Sequence, residues 1–489
     1  MKLKISWNED EKEVEVLETE SDIFKAVGEI LPEISIPNNI YVSCALGDAE
    51  FIVGKRGTFV KNGVRVPSMY VTENYNYIRG YLSSTYKEAY LTCINPASNN
   101  YKFYHLKPNC AGIDATYGRI GSKPGEAFGV KDLQEPYPTY MYWIRYYEKL
   151  SKGYTDQSDI YLSEPVSPKK TKTKKANDTD NTTNTTKSVN VISAELYKKL
   201  KAFAKHVVET TFVDAKVTEK QLKTSKKLFK ELGQRKTLKG FNNKLMELLT
   251  VSPRKCRYVT DFLATSEKDF AEIIDREETL IAAMEALVSG DEVAVAKLEE
   301  SFDALGIEVY EATDKQKEQV LSKLSDNLKP KVKRVYRVIN KEHKKRFDKY
   351  LEKNGIKTVK QLWHGSRNEN WFSILQNGLQ LNPNAIITGK MFGQGIYFAP
   401  SSMKSWNYTS FRNTYWAKGN SDTAFMGLYA TAYGKPHDVT CAQSFTQRQL
   451  QGLGKNCVHA HAGTQLLNDE IIYYSEEAMV LNYIVEFAA

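Results

Sequence analysis

A polar stretch near the middle of the chain divides it and limits what the rest can fold into. Residues 163–188 contain Pro165, Pro168, a cluster of lysines and then a run of Asn, Thr and Asp, without hydrophobic periodicity. Such a composition cannot bury enough apolar surface to fold, so we expect a flexible linker over about 161–190. Its lysines fit either a solubilising linker or contact with nucleic acid. The chain has 489 residues, and at roughly 100 to 200 residues per domain this length predicts two to four domains.

Two small units with mixed patterns precede this linker. Over 1–85, period-two alternation indicates strands at 2–6, 13–17, 40–43, 50–53 and 58–66, and a helix is predicted over 21–31. The second unit, 86–160, has strand patterns at 90–94 and 101–106 and a turn-rich stretch at 117–121. It ends in a predicted helix with Gly153 as its C-cap, whose apolar residues at helical spacing are Tyr140, Trp143, Ile144, Tyr147 and Leu150.

Helical periodicity dominates after the linker, over 191–305. The pattern predicts helices at 194–208, 219–232, 238–249, 258–263, 267–288 and 292–305. Ser266 with Asp269, and Ser252 with Pro253, resemble helix starts, whereas Gly233, Gly240 and Gly290 resemble helix ends. From residue 306 to 489 short strands return, at 307–310, 332–338, 361–363, 395–398, 470–474 and 480–487. We therefore predict a separate α+β domain there.

Composition excludes several classes of protein. No apolar run approaches the roughly 18 residues that a membrane span needs, and the first residues lack the apolar core of a signal peptide. We expect an intracellular protein, in the cytoplasm with the nucleoid in a bacterium or in the nucleus in a eukaryote.

The net charge is +9, but the distribution of charge along the chain is more informative: 192–257 is basic and 261–303 is acidic. Such a segment can pack on itself or place its basic part on phosphates.

Cysteine and histidine usage gives no strong metal signature. Six cysteines are widely spread and contain no C-x-x-C pair. Cys457, His459 and His461 lie close together, yet the sequence offers no fourth ligand, so we expect no metal site.

Three segments of the C-terminal domain carry chemistry. In the first, Trp363-His364-Gly365-Ser366-Arg367, a strand runs into a turn of small residues. The second spans 389–399 and has three glycines before a strand, which allow close approach of backbone to a ligand, followed by a predicted helix with Lys404, Ser405 and Tyr408. In such a helix, Ser405 and Tyr408 share one face. In the third, Glu470 opens a strand that should be buried.

Together these segments resemble the catalytic domain of the poly(ADP-ribose) polymerase family, an ADP-ribosyltransferase fold that consumes NAD+. The family's His, Tyr and Glu triad falls on His364, Tyr397 and Glu470. The resemblance implies that Gly365 and Ser405 bind the nicotinamide carboxamide and that Tyr397 and Tyr408 stack on its ring. It also implies that His364 and Ser366 bind the adenine ribose, and that Asn370 and Lys404 belong to the NAD+ site.

Glu470 would then accept a hydrogen bond from the nicotinamide-ribose 2''-hydroxyl and support chain elongation. Cleavage of the glycosidic bond develops positive charge on the ribose, so a carboxylate in this position suits an oxocarbenium-like transition state. This sequence departs from the best-known members where it has Gln380, Lys390, Gln394 and Pro400 in place of Arg, Tyr, Lys and Asp. These departures lie on the adenosine side of the site.

The rest of the chain fits the same family. Residues 101–153 resemble a WGR domain, with Tyr117-Gly118-Arg119 in place of Trp-Gly-Arg, so that Tyr117 and Arg119 are candidates for contact with DNA ends. An alternative for Tyr117 is a partly buried strand residue. The helices over 191–305 lie where the family has its autoinhibitory domain.

The expected fold is therefore multidomain α+β. It comprises an N-terminal α+β unit, a WGR-like sheet-plus-helix domain, an all-α regulatory domain and a mixed α+β ADP-ribosyltransferase domain at 306–489. We expect a monomeric, DNA-break-activated polymerase that modifies proteins, itself included, with NAD+ as co-substrate and no membrane partner. A mono-ADP-ribosyltransferase and a DNA-end-binding scaffold with a vestigial pocket remain alternatives.

Overall fold

The computed structural model describes residues 2–7, 10–15, 41–46, 49–54, 59–61, 64–66, 87–122, 129–137, 141–162, 190–214, 216–295, 300–381, 391–463 and 465–489. The chain divides into two compact units, Met1–Leu162 and Ser163–Ala489. The helix predicted over 21–31 and the linker predicted over 163–188 lie outside the described residues, as do Tyr140 and Lys390. Within the described ranges, no helix combines the length and apolarity needed to span a membrane.

The first unit begins with a six-stranded antiparallel sheet in the order β2-β1-β3-β4-β5-β6. Its strands are β1 (Lys2–Trp7), β2 (Asp10–Glu15), β3 (Tyr41–Leu46), β4 (Ala49–Gly54), β5 (Phe59–Lys61) and β6 (Val64–Val66). The predicted strands in this region are confirmed, except that the stretch 58–66 forms two paired strands rather than one.

A second, five-stranded sheet follows in the order β10-β9-β8-β7-β11. It contains β7 (Ala89–Asn95), β8 (Asn100–Pro108), β9 (Ile113–Arg119), β10 (Lys131–Asp132) and β11 (Thr155–Asp156), with helices α1 (Met141–Ser151) and α2 (Ser158–Tyr161). Gly153 follows α1 with a φ of +83°. The turn predicted over 117–121 is wrong in its first half, because Tyr117, Gly118 and Arg119 pair with β8 as the end of β9.

Four long helices open the second unit: α3 (Val191–Thr211), α4 (Glu219–Leu232), α5 (Leu238–Val251) and α6 (Phe270–Val295). Local capping explains their starts. The side chain of Asn190 accepts from the amide of Ser193 before α3, and Thr218 with Gln221 forms a capping box before α4. The predicted capping pair of Ser266 and Asp269 is also confirmed, at a 3-10 turn that leads into α6.

Several predicted helix limits are wrong. Gly240 lies in the first turn of α5, and Ser252 caps its C-terminal end instead of starting a helix. Gly290 lies inside α6 rather than at its end, and the atoms nearest to a Cβ placed there belong to the flexible end of the Lys201 side chain on α3. The helix predicted at 258–263 is a 3-10 turn, Val259–Phe262, and 292–305 contains the end of α6 and a second 3-10 turn, Phe302–Leu305.

Nine strands and five helices among the described residues make up the C-terminal part. The strands are β12 (Ile307–Glu311), β13 (Val332–Asn340), β14 (Val359–Gly365), β15 (Ile396–Phe398), β16 (Thr423–Ala432), β17 (Pro436–Val439), β18 (Cys457–Ala460), β19 (Glu470–Tyr473) and β20 (Met479–Ala488). The helices are α7 (Asp314–Leu321), α8 (Lys341–Lys353), α9 (Trp371–Asn377), α10 (Ser402–Trp406) and α11 (Gln447–Gly452).

These strands form two sheets, β12-β13-β20-β16-β14 and β15-β19-β18-β17. Among their pairings, β17 with β18 is parallel and the others are antiparallel. The backbones of Trp363 and Ala399 exchange two hydrogen bonds, of 2.9 and 3.0 Å, and so join the end of β14 to the residue after β15. The three catalytic motifs of the sequence meet at this junction.

The five-stranded sheet is covered on both faces. Leu362 packs in the core on the side of α3, α6 and α9, whereas its neighbour Trp363 packs on the opposite side with Trp406 and Phe487. Interior strand β16, between β20 and β14, is accordingly buried along nearly its whole length. A strand that is buried on both sides shows no polar alternation, and for this reason β16 was not predicted.

The helical region packs directly on the C-terminal sheet. Tyr197 of α3 makes edge contacts with Phe302 and Phe372, at centroid distances of 5.4 and 5.0 Å. Lys199 Nζ lies 2.7 Å from Glu486 Oε1, whose carboxylate is buried on β20. One continuous apolar core therefore includes both the helices and the sheet.

The helical region also packs on itself through opposite charges, as its sequence suggested. Arg254, from the basic half, and Glu277, from the acidic half, form a buried ion pair of 2.6 Å. Lys201 pairs with Glu300 at 2.8 Å. Part of the basic charge is thus neutralised inside the fold.

Candidate active site

His364 is the last but one residue of β14 and lies where the two C-terminal sheets meet. Its Nδ1 atom is 3.0 Å from the backbone carbonyl oxygen of Tyr397 on β15. The ring also lies against Phe398 and Tyr429, with centroid distances of 5.5 and 6.1 Å. The strand junction therefore fixes the orientation of the imidazole and brings the first and second sequence motifs together.

Gly365 and Ser405 form a very close backbone contact beside this histidine. A Cβ atom on Gly365 would lie 1.9 Å from the carbonyl oxygen of Ser405, so only glycine fits there. The Ser405 hydroxyl donates to the carbonyl of Trp363 at 3.0 Å, which fixes α10 against the end of β14. The two residues that the resemblance assigns to the nicotinamide carboxamide are thus neighbours.

Tyr397 is held by the glycine-rich loop that precedes it. Its hydroxyl donates to the carbonyl of Gly393 at 2.8 Å and accepts from the amide of Phe392 at 3.2 Å. Gly393 has a φ of +81°, which favours glycine, and Gly395 approaches Ile472 so closely that a Cβ would lie 2.2 Å from its Cγ2. Burial and the nearby negative charge of Glu470 both raise the pKa of Tyr397, so the phenol stays neutral.

Glu470 begins β19 and is buried, with 8% of its surface exposed. Its Oε1 lies 2.6 Å from Nζ of Lys404 on α10. Because β19 pairs with β15 through Phe398 and Ile471, Glu470 lies next to the junction that holds His364. The three predicted triad residues therefore lie around one junction, and Lys404 is the cation that pairs with the carboxylate.

Tyr408 differs in position from the prediction. Helix α10 ends at Trp406, so Ser405 and Tyr408 do not share a helical face. Tyr408 lies in the following turn, with its amide 3.1 Å from the carbonyl of Ser405 and its ring stacked on Trp416 at 6.3 Å. Its ring is 40% exposed. Partial burial and the charge of Glu470 raise the pKa of Tyr408 to about 12, which indicates that it also lies near the carboxylate.

Ser366 and Asn370 are linked on the other side of His364. The side-chain amide of Asn370 donates to Ser366 Oγ at 3.0 Å. Within the described residues, the buried Oδ1 of Asn370 has no hydrogen-bond partner. A buried acceptor without a donor is costly, so this oxygen fits a ligand group such as a hydroxyl or an amide. The predicted adenosine-side residues are thus together and retain hydrogen-bonding capacity.

The residues that depart from the family pattern are spread out. Gln380 and Pro400 are exposed. The buried Oε1 of Gln394 has no hydrogen-bond partner among the described residues. Sequence reasoning missed Trp416 and its exposed neighbour Tyr415, which extend the aromatic surface next to Tyr408. Exposed large aromatic side chains beside a predicted site were the available signal.

Cys457, His459 and His461, where the sequence analysis expected no metal site, do not form one group in the structure. Cys457 is buried and its thiol donates to the carbonyl of Tyr433 at 3.4 Å. The two histidines instead meet Asp438 and Asp469, which the sequence analysis did not consider.

The candidate DNA-binding residues lie in the first unit. Tyr117 is half-buried and stacks on Tyr104 at 5.6 Å, as expected for a strand residue. Arg119 donates to the carbonyl of Asn99 at 2.9 Å. Gly118 between them is required for packing, since a Cβ atom would lie 2.8 Å from the carbonyl oxygen of Gly129. These contacts explain the Tyr-Gly-Arg pattern structurally, and its role towards DNA stays a prediction.

Comparison with known proteins identifies the C-terminal domain. Residues 310–465 match the family described as the poly(ADP-ribose) polymerase catalytic domain. Over this stretch the chain is similar to a poly(ADP-ribose) polymerase catalytic domain. The domain is that of an NAD+ ADP-ribosyltransferase, as the motifs predicted. The matched residues include His364 and Tyr397 but end before Glu470, so the place of Glu470 in the site rests on its motif and on the geometry described above.

Individual relatives agree with this family. The chain is 29% identical over 159 residues to the putative poly [ADP-ribose] polymerase-like 100L of Invertebrate iridescent virus 6, covering 31% of this chain and 83% of that protein. It is 42% identical over 92 residues to human poly [ADP-ribose] polymerase 2, covering 19% and 15%. It is 33% identical over 126 residues to poly [ADP-ribose] polymerase 1 of Xenopus laevis, covering 24% and 12%. The chain thus spans only a small part of the two vertebrate proteins.

Proposed function

We propose that this protein cleaves NAD+, releases nicotinamide and transfers ADP-ribose to protein acceptors, itself included, extending the product into a polymer. The observation that carries this proposal is the meeting of His364, Tyr397 and Glu470 at the junction of the two C-terminal sheets. The family comparison supports the reaction class. Polymer formation rests on the presence of a glutamate at position 470, which goes with elongation in the family that the motifs resemble.

Nicotinamide fits between the aromatic rings and the close backbone contact. Tyr397 is half-buried and fixed by its hydrogen bonds, Tyr408 is partly exposed, and each can stack on a flat ring, a contact worth about 0.5–1.5 kcal/mol. The backbone of Gly365 and the hydroxyl of Ser405 lie together at the edge of this space and would bind the carboxamide. These residues would orient the nicotinamide leaving group.

Glu470 would bind the nicotinamide ribose. Its carboxylate would accept from the 2''-hydroxyl and place negative charge next to the developing oxocarbenium ion, where water is largely excluded. Lys404 holds the carboxylate at 2.6 Å and so positions it before substrate arrives. His364 and Ser366 would bind the adenine ribose hydroxyls, with the imidazole held by the carbonyl of Tyr397.

We also propose that the helical region regulates this site. Glu285 of α6 accepts from the hydroxyl of Ser373, and from the amide of Asn377 at 3.4 Å, both on α9. Helix α9 begins directly after Asn370, and an exposed pair of 3.4 Å joins Arg367 to Asp275. Loosening α6 would therefore be transmitted to the loop that holds Ser366 and Asn370.

We further propose that DNA ends supply this loosening by binding residues 86–160, with Tyr117 as a stacking surface and Arg119 near phosphate. This assignment places the protein with DNA inside the cell, in the nucleoid region or the nucleus. It is supported by the resemblance of the Tyr-Gly-Arg strand to a WGR motif and by the basic composition of 192–257.

The experiment is nicotinamide release and product size with labelled NAD+, with and without short double-stranded DNA. Products of high molecular weight that depend on DNA support the full proposal. Discrete bands of single transfer support the mono-ADP-ribosyltransferase, and no turnover in either condition supports the binding scaffold. Unchanged stimulation by DNA in Tyr117→Ala would remove Tyr117 from the sensing role.

Glu470→Gln separates catalysis from binding. We expect this variant to lose elongation while it still binds NAD+, because the substitution keeps the shape of the side chain and removes its charge, at the ribose and towards Lys404. Glu477→Gln is the matched control, since Glu477 is exposed on the turn after β19. Elongation at the level of the control would contradict the role of Glu470.

A further inference from the structure

Helix α4 carries a row of exposed lysines on one side. Lys223, Lys227 and Lys230 follow one another at spacings of four and three residues, and each is exposed. At about 3.6 residues per turn, such spacings keep the three side chains within about 60° of one another around the helix axis. The distance along the axis from the first to the last is about 10.5 Å. We call these three residues the lysine row.

The other side of α4 is committed to the core. Its buried apolar residues are Leu222, Phe229 and Leu232. Lys226, at the boundary between the two sides, pairs with the buried carboxylate of Glu285 on α6. Packing therefore fixes the rotation of α4 about its axis and leaves the lysine row facing solvent.

Among the described residues, no carboxylate pairs with the lysine row. Glu231 lies one turn after Lys227, but its carboxylate is 2.9 Å from Nζ of Lys244 on α5. Further exposed cations follow directly after α4 and in the first turn of α5, at Arg235, Lys236 and Lys239. This surface therefore keeps its positive charge, whereas Arg254 and Lys201 are neutralised by ion pairs within the helical region.

We propose that the lysine row binds the phosphate backbone of double-stranded DNA. One strand of a duplex presents a phosphate about every 3.4 Å along its axis, so a rigid row of about 10.5 Å can face about three phosphates. Lysine is a point charge on a flexible stem, and this flexibility accommodates small differences in spacing. Contacts to phosphate carry no sequence information, so this surface binds duplex DNA independently of its sequence and of its ends.

The same surface lacks what other classes of partner need. The large hydrophobic side chains that are exposed in the described part of the chain lie outside α4. A helix that lies in a membrane interface needs a free apolar face, and the core of a protein–protein interface is depleted in lysine. A partner that is recognised by charge alone is a polyanion. The choice of DNA among polyanions rests on the proposed function.

Helix α4 also contacts the helix that reaches the catalytic domain. Lys226 pairs with Glu285 of α6, and Glu285 accepts a hydrogen bond from the hydroxyl of Ser373 on α9. DNA held on the outer side of α4 therefore acts on the pair of helices whose loosening the proposed function requires. This contact differs from the one proposed for residues 86–160, because it does not require a DNA end.

The test is the salt dependence of DNA binding by the full chain in the absence of NAD+. The probe is a labelled duplex whose two ends are closed by hairpin loops, and binding is measured by fluorescence anisotropy. The test variant combines Lys223→Gln, Lys227→Gln and Lys230→Gln, since glutamine retains the helix propensity of lysine. Each phosphate contact contributes about 0.9 to the slope of log K against log salt concentration, so this variant should have a slope shallower by about 2.7.

The matched control combines Lys345→Gln, Lys349→Gln and Lys353→Gln on α8, which removes the same charge from three exposed lysines. Exposed Asp348 and Glu352 alternate with these lysines, so the control should keep the wild-type slope. Equal slopes in the two triple variants would overturn the proposal. A test variant that binds the duplex with the wild-type slope but loses affinity for purified ADP-ribose polymer would overturn the assignment to DNA. Nicotinamide release measured without DNA tests the proposed reaction separately.

Discussion

Replacement of Gly365 by alanine is the sharpest single perturbation of the proposed site. The added Cβ would lie 1.9 Å from the carbonyl oxygen of Ser405, whereas Cβ atoms essentially never approach a heavy atom within 3.0 Å. The end of β14 and helix α10 must therefore separate by at least about 1.1 Å in a close-packed region. This shift moves the Gly365 backbone relative to the Ser405 hydroxyl.

The expected losses of stability and of activity follow from the size of this shift. Overpacking of this kind typically costs about 1–3 kcal/mol, so the domain should remain folded. A misplacement of about 1 Å in a positioning element can lower the rate by about 100-fold. We therefore expect kcat/KM for nicotinamide release to fall by about two orders of magnitude, together with a lower unfolding midpoint.

The assay is nicotinamide release at several NAD+ concentrations, with thermal unfolding measured on the same preparation. Gly452→Ala is the control, because nothing lies within 4 Å of a Cβ added at this last residue of α11. It should match the wild type in both measurements. A Gly365→Ala protein with wild-type kcat/KM would refute the assignment of this backbone contact to the nicotinamide pocket.

Three further substitutions test neighbouring contacts. Tyr408→Ala should weaken NAD+ binding by about 2- to 12-fold, because it removes one stacking contact. Tyr408→Phe should retain that contact. NAD+ binding by Tyr408→Ala at the wild-type level would exclude stacking on Tyr408. Lys404→Met leaves the buried carboxylate of Glu470 without its cation, so kcat should fall more than KM changes, and Lys404→Arg should restore part of the activity. Lys199→Met should lower the free energy of unfolding by about 1–3 kcal/mol, because Glu486 loses its closest cation, whereas the change to methionine at exposed Lys198 should have little effect.

The contact of Lys199 with Glu486 also predicts a pH dependence. Burial raises the pKa of Glu486, but the hydrogen bonds from Lys199 and Tyr336 outweigh it and lower the pKa below its ordinary value of 4.5. A lowered pKa means that the stabilisation is present above pH 4.5 and is lost as the pH falls through the pKa of the folded state. Unfolding measured from pH 7 to 3 should show this loss in the wild type and a smaller one in Lys199→Met.

The sequence predicted the helical region well and the C-terminal sheet less well, for one physical reason. Helices α3 to α5 bury one side and show their 3.6-residue period, whereas α6 is buried nearly all round over 279–290 and was recognised by its length and capping. Strand β16 is buried on both faces and has no alternation. Gly290 was taken for a helix end because glycine disfavours helices, but α6 continues through it to Val295.

Tyr408 shows where local reasoning about the site failed. Residues 402–408 could continue as a helix, but the carbonyl of Asn407 accepts from the amides of Trp416 and Ala417, at 3.1 and 3.0 Å. Its side chain also accepts from Tyr415. These contacts from a later loop end α10 and turn the chain outward. The spacing of Ser405 and Tyr408 carries no information about that loop.

The adjacent residues Asp469 and Glu470 contact different elements of the C-terminal domain. Glu470 contacts Lys404 on α10, whereas Asp469 contacts His459 on β18. Spacing along the chain identified the two histidines and the glutamate, but not Asp438, because register between β17 and β18 brings it beside His459 from twenty-one positions away. Contact of Asp469 with His459 joins the start of β19 to β18. This contact restrains the backbone from which Glu470 reaches Lys404.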